Sequence, residues 1–161
     1  MTHAGIPDAH FHRVREAEKE ISRLQALDLQ YVLGGGRNCT NTRTGICGAK
    51  KFHQGGPGGD CSWLQLLVCH ILKVPLDSPI GWTGTLVNEG HKGPGKLYTI
   101  YIKEPFQTEG HTIGRFHHPH HDRWFECGGF DNPQPGDGVT WFRPTPERIA
   151  EFPVQRHFAG F

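Results

Sequence analysis

The chain lacks the marks of several large functional classes. Its 17 Lys and Arg are matched by 16 Asp and Glu, and this balance provides no clustered basic footprint for nucleic acid or an anionic membrane. No apolar run reaches the length of a membrane span, since the most apolar stretch, Leu64 to Leu72, is broken at Cys69 and His70. Nothing near Met1 resembles a basic segment followed by an apolar one, so the expectation is a protein made without a signal peptide. The glycine-rich loops contain no Gly-x-x-x-x-Gly-Lys-Ser/Thr pattern, which leaves a nucleotide site without support. No Cys-x-x-Cys pair occurs among Cys39, Cys47, Cys61, Cys69 and Cys127. Five is an odd number, so at least one thiol is free, and a reducing compartment during synthesis is the simpler expectation beside a Cys39–Cys47 bridge.

What remains is one domain's worth of chain. With 161 residues, 35% of them hydrophobic, a single core is expected over 1–161, and neither an internal repeat nor a linker divides it. From Asp8, expected as an N-cap, Val14, Ala17, Ile21, Leu24 and Leu27 recur at helical spacing and predict an amphipathic helix running out near Tyr31. Residues 34–59 are dominated by Gly, Asn, Thr and Lys, a loop too long for an ordinary connection. A second helix is expected after Cys61, with Leu64, Leu67, Val68 and Ile71 on one half-buried face and Pro75 as its stop. Leu97 to Ile102, His111 to Phe116 and Arg123 to Cys127 have strand character and predict an antiparallel meander. A short strand is expected over Val139 to Phe142, and a helical turn over Pro146 to Glu151.

One cysteine stands where chemistry would place it. In "GGPGGDCSWLQLLVCHILKV", residues 55–74, Cys61 marks the change from a glycine-rich loop to an apolar helix. A helix N-terminus favours a thiolate, because its unpaired N–H groups and macrodipole stabilise negative charge. The same N–H groups suit an oxyanion, and Gly58 and Gly59 leave the approach uncrowded. The plainer account is that Cys61 is a small buried hydrophobe, as most cysteines are. A nucleophile needs a base, and the base needs an orienting group. Of 12 histidines, His111 opens an alternating strand, and Glu126 lies in the next strand within "RWFECGG". An antiparallel pair is expected to set them side by side, about 5 Å apart at Cβ.

Taken in order, "YVLGGG" at 31–36, "GGDCSWLQLLV" and "GHTIGRF" resemble the NlpC/P60 class of papain-like peptidoglycan peptidases. The segments "GPGKLYTIYI", "GHTIGRF", "RWFECGG" and "VQRHFAGF" resemble the catalytic peptidase module of actinobacteriophage endolysins. The resemblance spans about residues 28 to 161. It implies an α+β papain-like fold in which an N-terminal helical segment, 1–27, precedes a core over 28–161, with helices packed on a small antiparallel sheet. It also implies a cysteine endopeptidase acting on the peptide stems of bacterial, actinobacterial-type cell wall. In such an enzyme Cys61 is the nucleophile, His111 the general base and Glu126 the orienting acid. Tyr31 then lies by the thiolate, and Asp60 and Ser62 support the site. The implied partner is peptidoglycan, with no nucleic acid, membrane, metal or cofactor, and the implied state is a monomer made in the host cytoplasm and released to the wall through a holin-type lesion. Three positions depart from the pattern. Leu33 replaces an aromatic, Glu126 stands where His, Asn or Gln is common, and Trp63 replaces a Gly, implying a bulkier wall beside the nucleophile.

Rival uses of the same residues are few. "HHPHHD", His117 to Asp122, has good zinc-ligand chemistry, but Pro119 and the close spacing favour an exposed turn. Trp63, Trp82, Trp124 and Trp141 offer stacking faces for a sugar chain, although core positions are expected for all except Trp82. Two functional alternatives stay open: an N-acetylmuramoyl-L-alanine amidase of the related CHAP type, and a non-catalytic wall-binding module in which Cys61 is structural.

Overall fold

The computed structural model describes residues 6–28, 30–31, 58–77, 82–103, 110–117, 122–128 and 138–161. Most of the glycine-rich loop, with Cys39 and Cys47, lies outside the described residues, as do positions 118–121 of the histidine run.

Helix α1 (Asp8–Ala26) buries Val14, Ala17, Ile21 and Leu24 of the predicted stripe, whereas Leu27 falls past the helix end and is exposed. Asp8 is not its N-cap. Pro7 holds that position in an extended conformation with no side-chain cap, and Asp8 is already helical, its carboxylate in the first turn where the helix dipole favours it. The helix also stops short of Tyr31, because Asp28 adopts φ 50°, a left-handed conformation that breaks the helical path. Beyond it, β1 (Gln30–Tyr31) pairs in parallel with β2 (Gly58–Gly59), setting Tyr31 opposite Gly59.

Helix α2 (Cys61–Leu72) differs from the expected half-buried helix. Every residue from Cys61 to Cys69 is buried, because α1 covers one side and the sheet covers another. A helix apolar nearly all round is a core helix, and one-face reasoning underestimates it. It ends at Lys73, left-handed at φ 58°, with the Val74 N–H closing on the Cys69 carbonyl.

The remaining elements build an α+β domain around a six-stranded antiparallel sheet. Its strands are β3 (His91–Lys92), β4 (Tyr98–Lys103), β5 (His111–His117), β6 (Asp122–Gly128), β7 (Gly138–Phe142) and β8 (Val154–His157). Their order is β3-β8-β4-β5-β6-β7, so the β4–β7 meander is extended by β8, which returns to pair with β4. Short helices α3 (Thr83–Leu86) and α4 (Pro146–Ala150) complete the described structure. Side-chain alternation gives the sheet two apolar faces. Ile100, Ile102, Phe116 and Phe125 join the core under α1 and α2, while Tyr101, Ile113 and Trp124 form a second cluster with Phe152 and Ile149. Gly114 sits opposite Phe125, whose ring occupies the place a Cβ would take. No helix among the described residues is long and apolar enough to cross a membrane.

Candidate active site

The site is assembled at the N-terminus of α2, where that helix meets the start of β5. Asp60 is the N-cap, its Oδ1 accepting from the Trp63 backbone N–H at 2.7 Å and from Ser62 Oγ at 3.1 Å. The cap fixes the first turn and makes Cys61 its first helical residue. Parallel pairing of β1 with β2 brings Tyr31 to the same place, where it and Cys61 influence each other's ionisation. Trp63 is not a wall of an open cleft. It is fully buried, with its indole lying over Gly59 so closely that a Cβ there would fall 1.9 Å from the ring.

His111 and Glu126 come together, but not as directly opposed residues. The register sets Ile113 opposite Glu126, so His111 is the diagonal neighbour two residues along. Long side chains reach across that offset. His111 Nε2 lies 2.9 Å from Glu126 Oε2, and the two side chains are each 17% exposed. His111 also acts on the nucleophile electrostatically, each of His111 and Cys61 favouring the charged form of the other. Nε2 being committed to Glu126, Nδ1 is the nitrogen left for the thiol.

The electrostatics follow from these contacts. Burial pushes the Cys61 thiol up, but the hydrogen bond and positive charge of His111, with the Thr112 backbone N–H, outweigh it and hold the thiol below its ordinary 9.0. The negative charge of Asp60 works against them. Burial likewise opposes a charge on His111, yet its hydrogen bonds to Cys61 and Glu126 raise it from 6.5 to about 9. Glu126 is pushed up by burial and brought below the usual carboxylate value by His111 and then Arg148. Burial and the charges of Cys61 and Asp60 push the Tyr31 phenol up, keeping it a neutral donor. These shifts share one direction: His111 favours the ionised form of Cys61 and of Glu126, and both favour the protonated form of His111.

No protein-family model, curated protein or solved structure matches the chain. The chemistry of the site therefore rests on its geometry.

Two neighbours of this arrangement carry no signal in the sequence. Thr83, at the start of α3, places Oγ1 3.8 Å from Cys61 Sγ, 22 positions away along the chain. Arg148, on α4, lies 3.5 Å from Glu126 Oε2. Both depend on where short connecting helices dock, which no local pattern encodes.

The rival residues go elsewhere. His117 is half-buried, its Nε2 2.7 Å from Thr99 Oγ1, and burial together with the Arg115 charge lowers it to about 4. Asp122 pairs with Arg115 through two hydrogen bonds, of 2.9 and 2.8 Å. Among the described residues no group of three or more His, Cys, Asp or Glu side chains converges as a metal site. Trp63 and Trp124 are buried and Trp141 is partly buried, whereas Trp82 is 48% exposed.

Proposed function

We propose that the chain is a cysteine peptidase of the NlpC/P60 papain-like type that cleaves peptide stems of bacterial cell wall, acting as a phage-type endolysin. The observation that carries the chemistry is the Cys61–His111–Glu126 alignment at a capped helix N-terminus. The choice of substrate rests on the ordered resemblance of the motifs around those residues.

In this mechanism the Cys61 thiolate attacks the carbonyl carbon of the scissile amide. The oxyanion is met by backbone N–H groups at the start of α2, which lack partners within the helix. Collapse of the tetrahedral species breaks the C–N bond, and His111 delivers its proton to the departing amine. The thioester so formed is attacked by water, with neutral His111 now taking the water proton and Glu126 supporting the renewed imidazolium. The second collapse releases the new carboxyl group and returns Cys61 as thiolate.

Digestion of purified peptidoglycan, with released fragments resolved by mass spectrometry, tests the proposal. Cleavage within the stem, absent with Cys61→Ser, is expected. Release of intact stems from muramic acid would assign an amidase, and no release from a folded wild-type chain would leave a wall-binding module.

A further inference from the structure

We propose that Arg148 is a positioning residue for this reaction, holding the Glu126 carboxylate ionised and aimed at His111. The inference rests on the proposed peptidase chemistry and extends it to an element outside the Cys–His–Glu alignment.

The construction of α4 gives Arg148 its place. Thr145 caps the helix, Pro146 occupies its first turn, and the Thr145 hydroxyl accepts the backbone N–H of Arg148 itself at 3.2 Å. The guanidinium is then fixed from three sides. Nη2 lies 3.5 Å from Glu126 Oε2, Nη1 donates to Glu151 Oε2 at 2.9 Å, and the plane sits 5.0 Å from the centre of the Phe152 ring. Phe152 in turn packs against the His111 imidazole, with ring centres 5.9 Å apart. Helix α4 and Phe152, two residues past its end, therefore touch both partners of the His111–Glu126 hydrogen bond.

The charges around Glu126 make the sign of the effect definite. His111 faces it from β5 and Arg148 from α4, and Cys61 is the other group that acts on His111. Glu151 and Lys103, 3.5 Å apart, stand behind Arg148, and the uncharged Thr140 lies opposite Glu126 on β7. Removing Arg148 takes away one of two cations holding the half-buried carboxylate ionised, so Glu126 protonates at higher pH. A protonated Glu126 no longer supports the imidazolium, and the acid side of the reactive range contracts.

The direct test is the side-chain carboxyl titration of Glu126, followed by carbon NMR in the full chain as wild type, Arg148→Gln and Arg148→Lys. This measurement needs no turnover, so its failure is separate from failure of the peptidase assignment. The Glu126 midpoint is expected to rise by roughly half a pH unit in Arg148→Gln, as a partly exposed pair permits, and to return towards wild type in Arg148→Lys. On a cleavable stem peptide, kcat should fall on the acid side with KM little changed. An unmoved midpoint, or a loss uniform across pH, would overturn the proposal, and a rise in KM alone would make Arg148 a substrate contact. Should Arg148→Gln fail to fold, the Glu126 midpoint of His111→Ala between low and molar salt decides, since Arg148 is then the cation left of the two that lower it. Screening the guanidinium must raise it, and an unmoved midpoint overturns the proposal.

Discussion

Cys61, Cys69 and Cys127 are all buried free thiols, and burial alone raises the pKa of each. Cys69 and Cys127 remain raised. Cys61 ends lowered because the charge of His111 favours its thiolate, and this sets it apart from Cys69 and Cys127 more sharply than position in the sequence does. The rate of stem cleavage should rise with Cys61 ionisation, below the ordinary thiol range, and fall as His111 loses its proton near pH 9, giving a bell in a pH–rate series. His111→Ala should lower kcat by roughly 100- to 10,000-fold, towards the Cys61→Ser floor. Glu126→Gln keeps the shape but removes a negative charge that raises His111, so partial activity is expected with the alkaline limb moved to lower pH. An unchanged limb in that variant would place the orienting group elsewhere, with Asp131 and Asn132, both outside the described residues, next to test.

At the scale of elements, the start of α2 separates folding from chemistry. Asp60→Ala removes the cap and should cost about 1 kcal/mol in urea unfolding, while Asp60→Asn retains an acceptor for the Trp63 N–H and should cost much less. The Asn variant also removes a negative charge beside the sulfur, so its Cys61 should ionise at lower pH than wild type, as alkylation rates would show. Gly59→Ala drives a methyl into the Trp63 indole. A loss of about 1–3 kcal/mol is expected, and wild-type stability would mean that the indole has another place to go. The helical stripe of α1 and the β4–β6 meander are legible in the sequence because their apolar residues recur at the period of the element that forms. Strand β8 is not, since Val154 to His157 are all half-buried and show no alternation, and β1, β2 and β3 are two residues long. The depth of α2 is hidden too, because burial on two sides depends on the packing of α1 and the sheet.

For the whole molecule, the candidate site is a product of topology. Tyr31 arrives through a parallel pair of two-residue strands, Cys61 through a core helix, and His111 and Glu126 through neighbouring strands of one sheet. Cys61, His111 and Glu126 are legible beforehand because each stands at a recognisable local feature: a helix start, a strand start, and a charged residue in an alternating strand. Their diagonal register, and the approach of Thr83 and Arg148, are decided by twist and docking over long sequence separations. The central claim is that these elements create an activated nucleophile, and site-resolved alkylation measures it most directly. Iodoacetamide rates at Cys61, Cys69 and Cys127 would be followed by mass spectrometry from pH 5 to 10 in wild type and His111→Ala. The account predicts that wild-type Cys61 reacts fastest, with a midpoint below 9, and that His111→Ala moves this midpoint upward. Alkylation of Cys61 no faster than of Cys69 and Cys127, or a Cys61 midpoint indifferent to His111, would contradict it.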